Sequence, residues 1–263
     1  MTKVSTITPC YNMSKYIKGF LENLSTQTHK DLEIILDHND PTDEEITLVE
    51  EYNKKYDNIF HIIVEGVDPI GVSMNRCIEF ATGDYLCIWN VDDLRTPESI
   101  EIMARVLDEN PEIDVVYGNY NIVPRFGETE GQYVNVEPHI PELKTGMILG
   151  PFFMFRKSLL KKSGMFDEQF ETSADYDLAI RLVRNGEAHF MSDKLGYYLN
   201  EGLGQSTRAG SKQPIERTAI ELRYNSSVID PSLIDIAKDN YDINNLNIDD
   251  EKIPVSVFVD YKI

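Results

Sequence analysis

The chain has 263 residues, 41% of them hydrophobic and 27% charged, so it can bury a core and is not a disordered polymer. Its 25 basic residues against 45 acidic ones leave a net charge of −20, which argues against nucleic-acid binding and against a polybasic lipid anchor. No apolar run approaches the ~20 residues of a membrane-spanning helix, and the start Met1-Thr2-Lys3-Val4 has no apolar signal core, so a cytoplasmic protein without an integral membrane segment is expected.

In chain order, Val4–Ile7 reads as a short strand ending at Pro9. Tyr16, Ile17, Phe20, Leu21 and Leu24 recur at helical spacing behind Ser14 as N-cap. Leu32–Leu36 is a buried-type strand, and Thr42 to Glu45 is a capping box opening a second helix. Ile59–Val64 is strand, residues 72–82 are helix closed by Gly83, and Tyr85–Trp89 is strand. Pro97 opens a helix bearing Ile100, Met103, Ala104 and Leu107 on one face, and Val115–Tyr117 is strand. Strand and helix alternating in this way imply parallel pairing with crossover helices, so residues 1 to about 120 are expected to form an open, doubly wound α/β sheet. Beyond it, residues 123–149 read as a long functional loop, Pro151–Phe155 as strand, Ala174–Val183 as a strong helix and 213–224 as a last helix. The acidic tail 225–263 ends in an alternating strand over Ile253–Val259, expected either to pack on the domain or to pair with a second copy.

Three cysteines, none in a C-x-x-C pair, support neither a disulfide framework nor a zinc site, and Cys77 and Cys87 read as packing residues. Zinc-protease, serine-hydrolase, Walker and dinucleotide-binding motifs are missing, so those classes lose ground.

In open α/β sheets ligands bind beyond the carboxyl ends of the strands. There the chain places Pro9, Cys10, Tyr11 and Asn12 after the first strand, Asp37 to Asp40 after the second, and Asn90, Asp92 and Asp93 after the fourth. An aromatic ring can stack on a nucleobase, an amide can bond its edge, and carboxylates can hold a hard cation against a diphosphate. Each feature alone also reads as a turn or helix-start residue. Two adjacent acids at the end of an apolar strand are harder to explain that way, because they lose solvation unless a cation offsets them.

These segments resemble a family 2 glycosyltransferase of GT-A fold. The likeness rests on Thr8-Pro9-Cys10-Tyr11-Asn12, Gln27-Thr28 before Glu33-Ile34-Ile35, His38 to Asp43, and Asn75 followed by Ala81-Thr82-Gly83-Asp84-Tyr85. It continues through Asn90-Val91-Asp92-Asp93 with Pro97, Gly164 to Phe170, and Ala174-Asp175-Tyr176-Asp177-Leu178 with Arg181, in the family's order, across residues 3 to about 200. The resemblance implies a nucleotide-sugar-binding half (1–122), an acceptor-binding and catalytic half of the same domain (123–224) and an acidic C-terminal extension (225–263), with a homo-oligomer through that extension as one expectation. It implies donor contacts from Pro9, Tyr11, Asn12, Asn39, Asn75 and Asn90, a divalent Mn²⁺ or Mg²⁺ on Asp92 and Asp93, and Asp175 as catalytic base. Asp177 would cap its helix or orient the acceptor. The reaction implied is inverting transfer from a nucleotide-sugar, with a UDP-sugar favoured, to a glycan or lipid-linked acceptor in polysaccharide synthesis, either in the cytoplasm or peripheral to the inner face of the membrane.

Three positions depart from the family. Asn39 stands where an Asp reads the uracil imide, Asn90 replaces the first metal-motif Asp, and Ala174 replaces the Glu before the base. The histidine of the late loop is missing, and the glycines of Asn200–Arg208 suggest a lid there. The departures keep open a non-catalytic nucleotide-sugar or carbohydrate-binding protein of the same fold. A sugar-nucleotide pyrophosphorylase would share the sheet, but it calls for a Gly-rich basic loop where Pro9 to Ser14 stand.

Overall fold

The structure, a computed structural model, describes residues 2–136, 147, 149–202, 210–225 and 229–259. The strands are β1 (Val4–Tyr11), β2 (Leu32–Asn39), β3 (Ile59–Val64), β4 (Tyr85–Ile88), β5 (Leu94–Arg95), β6 (Val115–Val123), β7 (Gln132–Val134), β8 (Phe153–Arg156), β9 (Ala188–Leu199), β10 (Asn245–Ile248) and β11 (Glu251–Pro254). The helices are α1 (Ile17–Ser25), α2 (Asp43–Tyr56), α3 (Ile70–Phe80), α4 (Ser99–Glu109), α5 (Leu160–Ser163), α6 (Ala174–Asn185), α7 (Gln213–Arg223) and α8 (Ile234–Asn240).

The main sheet runs β3-β2-β1-β4-β8-β6-β9-β5, with β7 on β6. Residue alternation along each central strand divides the core into two layers. Val4, Ile34, Leu36, Cys87 and Met154 face α1 and α4 through Phe20, Leu24, Ile100 and Met103. Ile7, Ile35, Leu86, Ile88 and Phe155 face α3, α6 and α7 through Met74, Cys77, Leu178 and Ile220. The expected parallel half holds for β3, β2, β1 and β4. Beyond β4 the order differs: β8 lies antiparallel between β4 and β6, so β6 is not the next parallel neighbour.

Several local expectations are corrected. Ser14 is not the cap of α1; Tyr16 is the N-cap without a side-chain bond, because the Met13 carbonyl accepts from Tyr16 and Ile17 N–H. The strand at Val115 runs to Val123, since Asn119 and Asn121 are buried with their amides bonded to Ser192 and Thr129 carbonyls. The stretch expected to be loop contains β7, and 137–146 lies outside the described residues. The long strand β9 and helix α8 were not expected.

The tail is not one alternating strand. β10 and β11 form a hairpin whose two-residue turn, Asp249-Asp250, has positive φ at both positions, as a tight primed turn requires. Pro254 then ends the ladder and a 3₁₀ turn follows, so Val255 and Val259 point inward while Val257 is exposed. Leu246, Ile248, Val255 and Val259 join the same core as Phe166 and Phe170, so the tail packs on the domain.

Candidate active site

β1 pairs with β2 as far as Tyr11↔Asn39, but with β4 only as far as Ile7↔Ile88. The chain steps from β1 outward to β2 and β3 and then returns to the other side of β1 for β4, so a crevice opens at a topological switch point. Pro9 lies past the last β4 partner, where a missing N–H breaks no ladder bond on that side. Tyr11 is 44% exposed at the rim, and Asn12 follows in the left-handed region at φ 56°.

The β2 end is closed more tightly than its sequence suggests. Asn39 is buried; its Nδ2 donates to Asp37 Oδ1 at 2.6 Å and Ser73 Oγ at 3.1 Å, while its Oδ1 accepts from Asp68 N–H at 2.8 Å. Buried Asp37 is paired with Arg76 at 2.8 Å, and Arg76 also bonds Asp68. Sequence reasoning missed Arg76, which lies 39 residues from its partner. Beside them His38 is buried with its Nδ1 3.1 Å from His61 Nε2, and burial, reinforced by His61, pushes it down to about 4. Asn75, expected to touch the donor, instead gives both amide protons to the Phe166 carbonyl and Glu168 and accepts from Phe166 N–H. It ties α3 to the segment leading to α6.

The acids after β4 have separate parts. Asp93, expected as a second metal ligand, is 2% exposed, with Oδ1 accepting from Leu199 N–H at 3.0 Å and Oδ2 from Asn90 Nδ2 at 3.3 Å. Its carbonyl accepts the Trp89 indole N–H. These bonds hold the turn against the end of β9. Burial, with Asp92 adding to it, raises the Asp93 carboxyl well above its usual range. Buried Arg95 sits between the rings of Trp89 and Phe152, donating to the Ile88 carbonyl, and opposes that rise. The half-buried Asp92 carboxylate, by contrast, has no partner residue among the described residues; burial raises its pKa, and Glu201 adds to the rise. Among the described residues no three acid, His or Cys side chains converge as a metal cage. A lone hard carboxylate beside a crevice still fits Mg²⁺ or Mn²⁺, which take one or two carboxylates and fill the remaining positions with phosphate and water.

Asp175 opens α6. It is half-buried, its Oδ1 accepts the Tyr176 N–H at 2.8 Å, and it has no cation partner among the described residues. Burial pushes its carboxyl up to about 6 against that hydrogen bond, and the charge of Glu216 adds to the rise. Asp177 is neither cap nor free acceptor contact. It is fully buried, bound by Arg181 Nε and Nη2 at 3.0 and 2.7 Å, Arg223 Nη1 at 2.7 Å and the Tyr224 hydroxyl at 2.9 Å. Burial alone would raise it, but Arg181 and Arg223 outweigh burial and hold it below the usual carboxylate range. Of the residues expected to form a lid, Gly204 and Ser206 lie in 203–209, outside the described residues, while Gly202 is described with positive φ; Glu201, just before it, bonds Lys15 and the Tyr16 hydroxyl of the β1–α1 loop.

The sequence profile of the family described as Glycosyl transferase family 2 matches residues 5–164. An uncharacterized glycosyltransferase of Methanocaldococcus jannaschii is 28% identical over 69% of this chain and 65% of its own length. The hyaluronan synthase of Pasteurella multocida is 25% identical over 88% of this chain, which spans 23% of that enzyme. Among solved structures, S. aureus TarS residues 1–349 superpose with a TM-score of 0.65 at 22% identity, covering 89% of this chain and 69% of that one, and that protein was also solved with UDP and with UDP-GlcNAc. The Pyrobaculum calidifontis mannosyltransferase PcManGT, solved with GDP-Man and Mn²⁺, superposes at 0.58 with 16% identity, covering 90% of this chain and 68% of that one. The fold is that of these GT-A enzymes.

Proposed function

The chain belongs to glycosyl transferase family 2, and from that premise we propose that it moves a sugar from a nucleoside-diphosphate sugar to an acceptor hydroxyl with inversion at the anomeric carbon. One observation carries the reading. Of the acids near the strand ends and the start of α6, Asp37, Asp93 and Asp177 are committed to internal partners, while Asp92 and Asp175, at the family's metal and base positions, have no cation among the described residues.

In the proposed step the acceptor oxygen bonds the anomeric carbon as the bond from that carbon to the diphosphate oxygen breaks. The hydroxyl proton goes to Asp175, and the electron pair leaves with the nucleoside diphosphate. A carboxylate of raised pKa is suited to accept that proton near neutrality. Tyr11 would stack on the base, with Pro9 and Asn12 shaping the rim and Asn39 and Asn90 beside the nucleotide. Asp92 would hold the divalent cation, which when bound supplies positive charge to the leaving diphosphate. A UDP-sugar is favoured, in keeping with the ligands captured in TarS, and a glycan or lipid-linked acceptor with the hyaluronan synthase likeness.

The test starts with thermal shift against UDP, GDP, TDP and CMP, each with Mn²⁺, since a ligand that binds the native state raises its stability. Asp175→Asn should then keep nucleotide affinity but lose turnover by roughly 10²–10⁴-fold, and product NMR should show an inverted anomer. No nucleotide binding, full activity in Asp175→Asn, or a retained anomer would overturn the reading.

A further inference from the structure

Helix α6 begins without a side-chain cap: Ser173 is the N-cap residue and makes no capping bond. Its entry is held from outside. Glu216, on the first turn of α7, is fully buried. One of its carboxylate oxygens accepts the Glu171 N–H at 2.8 Å and the Tyr241 hydroxyl at 3.3 Å. The other accepts the Thr172 N–H at 2.8 Å and the Thr172 hydroxyl at 2.7 Å. Two successive main-chain N–H groups and a hydroxyl, three and four residues before Asp175, therefore converge on one carboxylate from a helix 45 residues away.

We propose that Glu216 is a positioning residue for the Asp175 base, fixing the 171–172 turn so that the start of α6 presents the Asp175 carboxylate in one place. The inference rests on Asp175 being the base. On the outer side of the turn lies the exposed Lys212–Glu171 pair, at 2.6 Å, and such pairs contribute little. The charged and titratable groups packed around it are Glu216 from α7, Tyr241 at the end of α8, Glu171 and Lys212 at the surface, and Tyr176 and Asp177 on α6. Of these, Glu216 is the group whose charge bears on Asp175, adding to the rise that burial causes. One residue thus anchors the turn before the base and adds its charge to the rise that burial causes.

Glu216→Gln tests this. The amide keeps the side-chain shape but sets an NH₂ against one of the two main-chain N–H donors and removes the charge. With Mn²⁺ present, calorimetric affinity for UDP should stay within about twofold, while UDP release from UDP-GlcNAc at saturating donor should fall by about 10- to 100-fold, as expected for a displaced catalytic group. Independently of any substrate, the ¹³C carboxyl titration of Asp175, assigned through Asp175→Asn, should move to a lower midpoint in Glu216→Gln. A wild-type midpoint together with a wild-type rate overturns the proposal. If Glu216→Gln does not fold, Thr172→Val removes one clamp bond and leaves the charge; it should slow UDP release with the midpoint unchanged, and a wild-type rate overturns the proposal. If Asp175→Asn releases UDP at full rate, the base assignment itself fails; if Asp175→Asn is slow while Glu216→Gln is not, only the role of Glu216 fails.

Discussion

Arg223 Nη1 lies 2.7 Å from Asp177 Oδ1, with both side chains wholly buried, and joins α7 to the helix that begins at Asp175. The same nitrogen reaches Asp167 Oδ2 at 2.8 Å, so one guanidinium gathers three segments. Asp177→Asn leaves Arg181 and Arg223 facing a neutral amide in the interior. Removing one partner of a buried ion pair costs about 3–5 kcal/mol. The expected outcome is a loss of that size in denaturant unfolding, with activity falling in proportion to the folded fraction. A variant as stable as the wild type would show that the network contributes nothing. This replaces the expectation, drawn from sequence, that Asp177 caps its helix or orients the acceptor.

The raised pKa of Asp175 has a stability consequence with a definite sign. An ordinary Asp titrates near 3.8, while the folded group titrates at about 6, so the native state holds this proton more tightly than the unfolded chain. The stabilisation is present below about 4 and is lost as pH rises through 6. Asp175→Asn should therefore melt higher than the wild type above pH 6, with the gap closing below pH 4, as followed by thermal unfolding across pH. With Asp175 as the proposed base, turnover of the wild type should rise through the same window as its carboxyl loses its proton.

Asp92→Ala should abolish the dependence of UDP affinity on Mn²⁺, since Asp92 follows β4 with no partner residue for its carboxylate among the described residues, whereas the neighbouring Asp93 is bonded to Leu199 and Asn90. Calorimetry with and without metal decides this, and an unchanged metal dependence would move the ligand elsewhere.

Tyr11→Ala should weaken nucleotide binding by roughly 1–3 kcal/mol with little change in melting temperature, because the side chain is 44% exposed and belongs to neither core layer. A drop in stability equal to the drop in affinity would point to a structural ring.

Asn39→Asp is no longer a simple exchange of donor preference. It places a second carboxylate against Asp37, where the Asn39 amide now donates at 2.6 Å. Like charges at that distance favour a bound proton, so the variant should be less stable than the wild type at pH 8 and recover on acidification. A variant as stable at pH 8 as the wild type would show that the pair relaxes apart.

Much of the first half was legible in the sequence. Near-continuous apolar runs marked β2 and β4 as strands buried on both faces, and helical spacing with the Thr42–Glu45 capping box located α2. The strand ends carrying Tyr11, Asn39 and Asp92 followed from that, because parallel strands bring their carboxyl ends to one edge. Local pattern could not say which acids are free. Asp37 is taken by Arg76, Asp93 by the end of β9, Asp177 by Arg181 and Arg223, and Glu216 by the turn before α6, across separations from 4 to 106 residues. The antiparallel insertion of β8 and the docking of the tail depend likewise on contacts between distant segments. Residue spacing governs which way a side chain faces on its own element; only the packing of elements against one another decides which carboxylate meets a guanidinium and which is left to solvent and ligand.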